Sequence, residues 1–189
     1  INLNGIWDFE QTTDAFPPES YSRKCPVPGL IHLAEPAIEA RDKLFQKPSA
    51  SYTAEASDFR KLQYEPKYSW YRKVVTISSG GPDTEVMLTI LKSQFVTQVY
   101  VNGRDMGQSV SCATPVRLKI TEAVRWNKPN EILIRVGERV WLPPEAAGGT
   151  DKEKANYLPG IWDDVFLSYS EKHMIIKALY LPSVRENTV

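Results

Sequence analysis

Phe95-Val96-Thr97-Gln98-Val99-Tyr100-Val101-Asn102-Gly103-Arg104-Asp105-Met106-Gly107 reads as a strand, a two-residue bend and the start of a returning strand. Asn-Gly between β-type runs is the strongest short hairpin signal, because both central positions of a type I′ turn need positive φ. Outward from this hairpin the chain keeps the same character. Pro115 to Ile120 alternates, with Val116, Leu118 and Ile120 on a core face and Arg117 and Lys119 toward water. Ile132, Ile134 and Val136 give another alternating run. On the other side lie Trp70 to Ile77, closed by the turn Gly80-Gly81-Pro82-Asp83, and the nearly apolar Glu85 to Leu91. Gly5 to Glu10 opens the series, and Val165 to Tyr169 and Met174 to Leu181 close it. About eight such strands with little helix predict a sandwich or barrel.

Two segments break the pattern. Leu30 to Phe45 holds Ala34, Glu35, Ala37, Glu39, Ala40 and Arg41, good helix formers. It predicts a short helix crossing one end of the sandwich, with Pro36 in its first turn. Thr121 to Val124 predicts one capped helical turn. Pro48 to Pro66 and Trp141 to Pro159 are long irregular stretches, the kind that are functional or disordered in a compact domain. Trp7, Trp70 and Tyr71 read as packing residues, and Trp126 as a cap on the hydrophobic layer.

The bulk numbers exclude several classes. A chain of 189 residues suits one domain, and at that size it buries roughly 70% of its unfolded surface without staples. Lys+Arg and Asp+Glu are both 23, so the net charge is zero and no basic run is long enough to track phosphates. Neither a nucleic acid nor an anionic membrane surface is an expected partner. No apolar run reaches the roughly 18 residues that span a bilayer. Cys25 and Cys112 can form one disulfide or stay two buried thiols; thiols are expected, since the size requires no disulfide. The chain opens Ile1-Asn2-Leu3, without methionine or apolar leader, as a processed or excised chain would.

In order along the chain, Gly5-Ile6-Trp7-Asp8-Phe9, Val27-Pro28-Gly29, Tyr68-Ser69-Trp70-Tyr71-Arg72-Lys73 and Val99-Tyr100-Val101-Asn102-Gly103 with Gly107 form a set. Pro115 to Val124, Asn130 to Val136 and Gly160-Ile161-Trp162-Asp163-Asp164-Val165-Phe166-Leu167 complete it. This set resembles the N-terminal sugar-binding domain of glycoside hydrolase family 2, the family of β-galactosidases, β-glucuronidases and β-mannosidases. The resemblance covers nearly the whole chain. It implies an all-β, jelly-roll β-sandwich of the galactose-binding-domain-like type over residues 1–182. Residues 183–189 would then begin a linker or a following immunoglobulin-like domain. It implies carbohydrate as partner, together with the immunoglobulin-like and (β/α)₈-barrel domains of the same polypeptide. It also implies export to the bacterial periplasm or beyond. The family's acid and nucleophile belong to the barrel, which takes about 250 residues and does not fit within this chain. The chain departs from the family where Asp163 replaces the Arg of "G-I-W-R-D-V". Where the β-galactosidase branch sends an acidic residue into the sugar site, this chain carries Lys154, with Asp151 and Glu153 nearby.

The residues themselves offer little catalytic chemistry. Glycoside hydrolysis needs two carboxyl groups facing each other across one bond. Asp163 and Asp164 are adjacent, and on a strand their side chains would point to opposite faces. Asp164 is expected in a structural hydrogen bond and Asp163 toward solvent or a domain partner. His32 and His173 sit in no nucleophile motif, and two His with two Cys give no zinc spacing. No catalytic residue, metal or cofactor is assigned; calcium is the one ion left open, without an Asp-x-Asp-x-Asn loop to hold it. The stretch from Trp141 to Trp162 combines aromatic faces with planar polar groups, as sugar binding requires. Asp151, Lys154, Asn156, Tyr157 and Trp162 are therefore the candidate substrate-binding residues. The plainer reading makes Trp141 and Trp162 packing residues and the polar run a solvated loop. Three functions compete: a non-catalytic accessory domain of a family-2-type β-glycosidase, a free-standing carbohydrate-binding module, and a purely structural sandwich mediating protein contacts.

Overall fold

The computed structural model describes residues 1–38, 67–78, 80, 83–111, 114–138, 141–143 and 158–170. These form twelve strands: β1 Gly5–Thr12, β2 Arg23–Val27, β3 Gly29–Leu30, β4 Tyr68–Thr76, β5 Glu85–Ile90, β6 Ser93–Gln94, β7 Thr97–Val101, β8 Arg104–Ser109, β9 Val116–Lys119, β10 Pro129–Val136, β11 Gly160–Ile161 and β12 Val165–Ser170. A six-stranded antiparallel sheet runs β2-β1-β4-β10-β7-β8, and a three-stranded sheet runs β12-β5-β9. A small sheet, β3-β11-β6, runs on from β5 and β12 of the second sheet, joined to them where the Leu91 amide donates to Asp164 and the Trp162 amide to Lys92. The chain crosses between the two larger sheets at β4 to β5, β8 to β9 and β9 to β10. That is the jelly-roll sandwich expected from the sequence.

Period-two alternation positions the core. Trp7 and Phe9 of β1, Tyr71 of β4 and Ile132, Ile134 and Val136 of β10 are buried. They join Val86, Leu88 and Ile90 of β5, Val116 of β9 and Val165 and Leu167 of β12 in one cluster. Phe9 and Tyr71 are cross-strand partners whose rings meet edge-on at 5.0 Å. Cys25 is a free, buried thiol in this core, and Trp126 packs against it; Cys112 lies outside the described residues.

The hairpin forms as the sequence predicts. Asn102 and Gly103 sit at φ 51° and 81° between β7 and β8. The strand before it is shorter than expected, because Val96 adopts φ 49° and β7 starts at Thr97. The expected helix over Leu30 to Phe45 is not there in the part described. Only Ile31–Leu33 forms a 3-10 turn, and Ala34 is extended at φ −66°, ψ 139°. The reason is local: Glu35 precedes a proline, which disfavours the α region, and Glu35 instead bridges Lys24. Residues 39–45 lie outside the described residues. The predicted turn at Thr121 is a 3-10 turn over Thr121–Ala123 with no side-chain cap. The Thr121 hydroxyl accepts from the Val86 amide instead, at 2.9 Å. The expected strand Met174 to Leu181 and the boundary at residue 182 lie outside the described residues.

Candidate functional site

Of the five sequence-predicted site residues, one is described. Trp162 follows β11, and its amide donates to the Lys92 carbonyl at 3.1 Å. Its side chain is 41% exposed, far more than a packing tryptophan would be. The Lys92 ammonium lies 4.9 Å from the ring centroid and 3.6 Å from Asp163. Asp151, Lys154, Asn156 and Tyr157 lie outside the described residues. Trp141 behaves differently from Trp162. It stacks on Tyr68 at 4.0 Å with the rings 8° from parallel, which makes it a packing residue.

Asp163 and Asp164 occupy the short turn between β11 and β12, not a strand as the sequence reading has it. Asp163 accepts from the Asp164 amide at 2.8 Å and faces Lys92. Asp164 accepts from Asn4 Nδ2 at 2.8 Å, and Asn4 Oδ1 accepts from the Val165 amide at 3.0 Å. Asp164 thus makes the structural hydrogen bond expected of it, whereas Asp163, expected toward solvent or a domain partner, pairs with Lys92 of its own chain.

The backbone of β6 and β11 and of the residues next to them is tightly specified. Phe95 and Gly137 exchange two backbone hydrogen bonds, Gln94 Nε2 donates to the Leu158 carbonyl, and the Ile31 amide donates to the Pro159 carbonyl. Gly160 sits at φ 151°, where a Cβ would come within 2.7 Å of the Gly29 oxygen. Val96, β-branched and left-handed, holds a conformation costing on the order of 1–3 kcal/mol, which persists only where the surroundings over-determine it. Such positions cluster at functional sites. No residue-type signal marks Val96 in the sequence.

A second polar feature escaped sequence reasoning. The strand positions that face away from the core build a charged lattice on the outer face of the six-stranded sheet. Asp8 on β1 pairs across to Arg72 on β4, which pairs to Leu133 on β10. Arg72 donates through Nε to Glu131 at 2.6 Å and through Nη1 to Asp8 at 2.9 Å. Lys24 binds the other Asp8 oxygen. The Arg72 guanidinium also lies 5.8 Å from the Tyr21 ring centroid. Residues 13–22 pass over this face as a strap, and between strap and sheet lies a cleft of about 480 Å³. Asp8, Tyr21, Arg72, Glu131 and Leu133 line it, with Pro17 to Ser20 on the strap. Beside it, Arg135 is buried with its guanidinium 4.8 Å from the Tyr68 ring and 5.9 Å from Trp70, and it donates to the Ala15 carbonyl at 3.0 Å. The alternation in β1, β4 and β10 was legible and places these polar residues on one face. The strap over them was not, since nothing in residues 13–22 announces where it lies.

The electrostatics of this face keep Asp8 and Glu10 ionised and the Tyr21 phenol neutral. The hydrogen bond from Lys24, joined by one from Arg72, holds Asp8 below the usual carboxylate range against the burial that opposes it. Burial pushes Glu10 upward, but hydrogen bonds from Ser22 and the Gln11 amide outweigh it and leave Glu10 lowered. Burial pushes the Tyr21 phenol up to about 12. A glycosidase acid needs a raised carboxyl, held protonated near neutrality. These two carboxyls are tuned the other way.

No family model and no curated protein sequence matches the chain. Solved structures match at the level of fold. A putative β-galactosidase from Bacteroides fragilis superposes with TM-score 0.62 and 19% identity, over 90% of this chain and 23% of its own. A β-D-glucuronidase from Dictyoglomus thermophilum gives 0.57 and 17%, over 90% and 27%. A β-D-mannosidase from the same organism gives 0.56 and 17%, over 89% and 22%. A glycosyl hydrolase family 2 member from Bacteroides cellulosilyticus gives 0.59 and 18%, over 90% and 20%. The fold of this chain is thus that of about a fifth to a quarter of these larger proteins, as the sequence resemblance implied.

Proposed function

We propose that this chain is the non-catalytic, carbohydrate-handling accessory domain of a glycoside hydrolase family 2-type β-glycosidase. In this reading it shapes the entrance to an active site carried by a barrel elsewhere in the polypeptide, and it docks that barrel. The observation that carries it is the pattern of coverage. Nine-tenths of the chain superposes on a minor part of proteins named as glycosidases of three different sugars. Two further observations support the reading. Among the described residues, the carboxyl groups with shifted acidity, Asp8 and Glu10, are both lowered. Trp162 offers an exposed aromatic face directly after the β6–β11 pairing.

The test is hydrolysis by the purified chain of a panel of aryl β-galactoside, β-glucuronide and β-mannoside. No turnover above buffer is expected. Turnover that scales with chain concentration and co-purifies with the chain would contradict the accessory role.

A further inference from the structure

We propose that the cleft between the strap of residues 13–22 and the Asp8–Arg72–Glu131 row is a binding subsite for a neutral saccharide unit, separate from Trp162. Shape comes first. At about 480 Å³ the cleft falls in the range of about 300–1,000 Å³ typical of small-molecule sites. It opens on the outer face of the large sheet, whereas Trp162 follows the small sheet.

The chemistry of the wall selects the ligand class. Arg72 is held by two carboxylates on two neighbouring strands, so its planar fork is fixed before any ligand arrives. Its second terminal nitrogen, Nη2, and the free Glu131 oxygen, Oε2, make no hydrogen bond of their own. A rigid donor beside a rigid acceptor matches two adjacent hydroxyls, one accepting from the guanidinium and one donating to the carboxylate. Leu133, Pro17, Pro18 and the Tyr21 ring supply apolar surface for sugar C–H patches. The Tyr21 ring lies 5.8 Å from the Arg72 guanidinium and helps to hold that fork in place. Charge sets the remaining choice. Arg72, the cation lining the cleft, is already paired with Asp8 and Glu131, and Lys24 is paired with Asp8, so the lining offers no unpaired cation to hold an anion. A uronic acid or a phosphorylated sugar is disfavoured, and a neutral sugar is not.

This subsite is independent of what Trp162 binds, and the test separates the two. The ¹⁵N-labelled chain is titrated with lactose and with cellobiose through the millimolar range, and in parallel with glucuronic acid. Saturable shifts are expected for the Tyr21 and Leu133 amides and the Arg72 Nε–H with a neutral disaccharide, and none with the acid. Glu131→Gln removes one charged hydrogen-bonding partner and is expected to weaken binding about tenfold. Leu133→Trp fills the cleft, leaves the Arg72 ion pairs in place and is expected to abolish binding. The remainder of each spectrum reports that the variant is folded. The proposal is overturned by no saturable shift in the parent chain, by affinity unchanged in both folded variants, or by equal affinity for glucuronic acid. Shifts confined to Trp162 and Lys92 would overturn this subsite while leaving the accessory-domain reading intact.

Discussion

Asn130 is fully buried and uses every hydrogen-bonding position of its amide. Its Oδ1 accepts from the Arg125 amide at 2.7 Å and from Asn102 Nδ2 at 2.8 Å. Its Nδ2 donates to the carbonyls of Arg125 and Lys128 at 2.9 and 2.8 Å. One side chain thereby ties the hairpin bend to the turn before β10. Asn130→Ala strands several buried groups at once, and a loss of about 2–4 kcal/mol is expected in urea unfolding at unchanged slope. Asp8 and Glu10 act at the same scale, through pH. Both are lowered in the folded chain from ordinary values of 3.8 and 4.5. The unfolded chain therefore binds protons first as pH falls, so their stabilisation is complete above about pH 5 and is lost as pH drops through those ordinary values toward the folded ones. The urea midpoint is expected to fall between pH 5 and pH 3, and the Asp8→Asn, Glu10→Gln double variant to show a shallower fall. An equal slope in parent and variant would remove these two groups from the account.

At the scale of elements, two glycines separate conformational cost from steric cost. Gly103 has positive φ in the hairpin bend, but a Cβ there meets nothing within 4 Å. Gly103→Ala is expected to cost only the left-handed penalty of about 1–2 kcal/mol. Gly160 has positive φ and its Cβ would strike the backbone of Gly29 and Leu30 at 2.7 Å. Gly160→Ala must therefore part β3 from β11, and thermal unfolding should show a clearly larger drop than Gly103→Ala. Equal drops would mean that the small sheet yields easily. The strands were legible wherever apolar and polar residues alternated, as in Val116 to Ile120. The bend was legible because Asn-Gly has a single favourable geometry. The helix over Leu30 to Phe45 was misread in its first half because composition suggested a helix, whereas Pro36 and the Lys24–Glu35 bridge decided otherwise. Trp162 was legible as a candidate, but its exposure was not, since a tryptophan beside a strand packs as readily as it projects. The cleft was half legible. Alternation put Asp8, Arg72 and Glu131 on one face, yet pairing across three strands is a property of register, and the strap that roofs it has no periodic signal.

For the whole molecule, one architecture reconciles a full hydrophobic core, an outer face of paired charges and an exposed tryptophan. The fold matches a minor part of much longer glycosidases, and Asp8 and Glu10 are held below the usual carboxylate range. The account places the chemistry elsewhere and leaves this chain to hold and orient sugar. The most direct measurement is steady-state kinetics of the full polypeptide carrying this chain, parent against Trp162→Ala, on the aryl β-glycoside it turns over best. The account predicts a KM raised about tenfold, the loss of one aromatic contact, with kcat nearly unchanged. A folded variant with the parent's KM would contradict it.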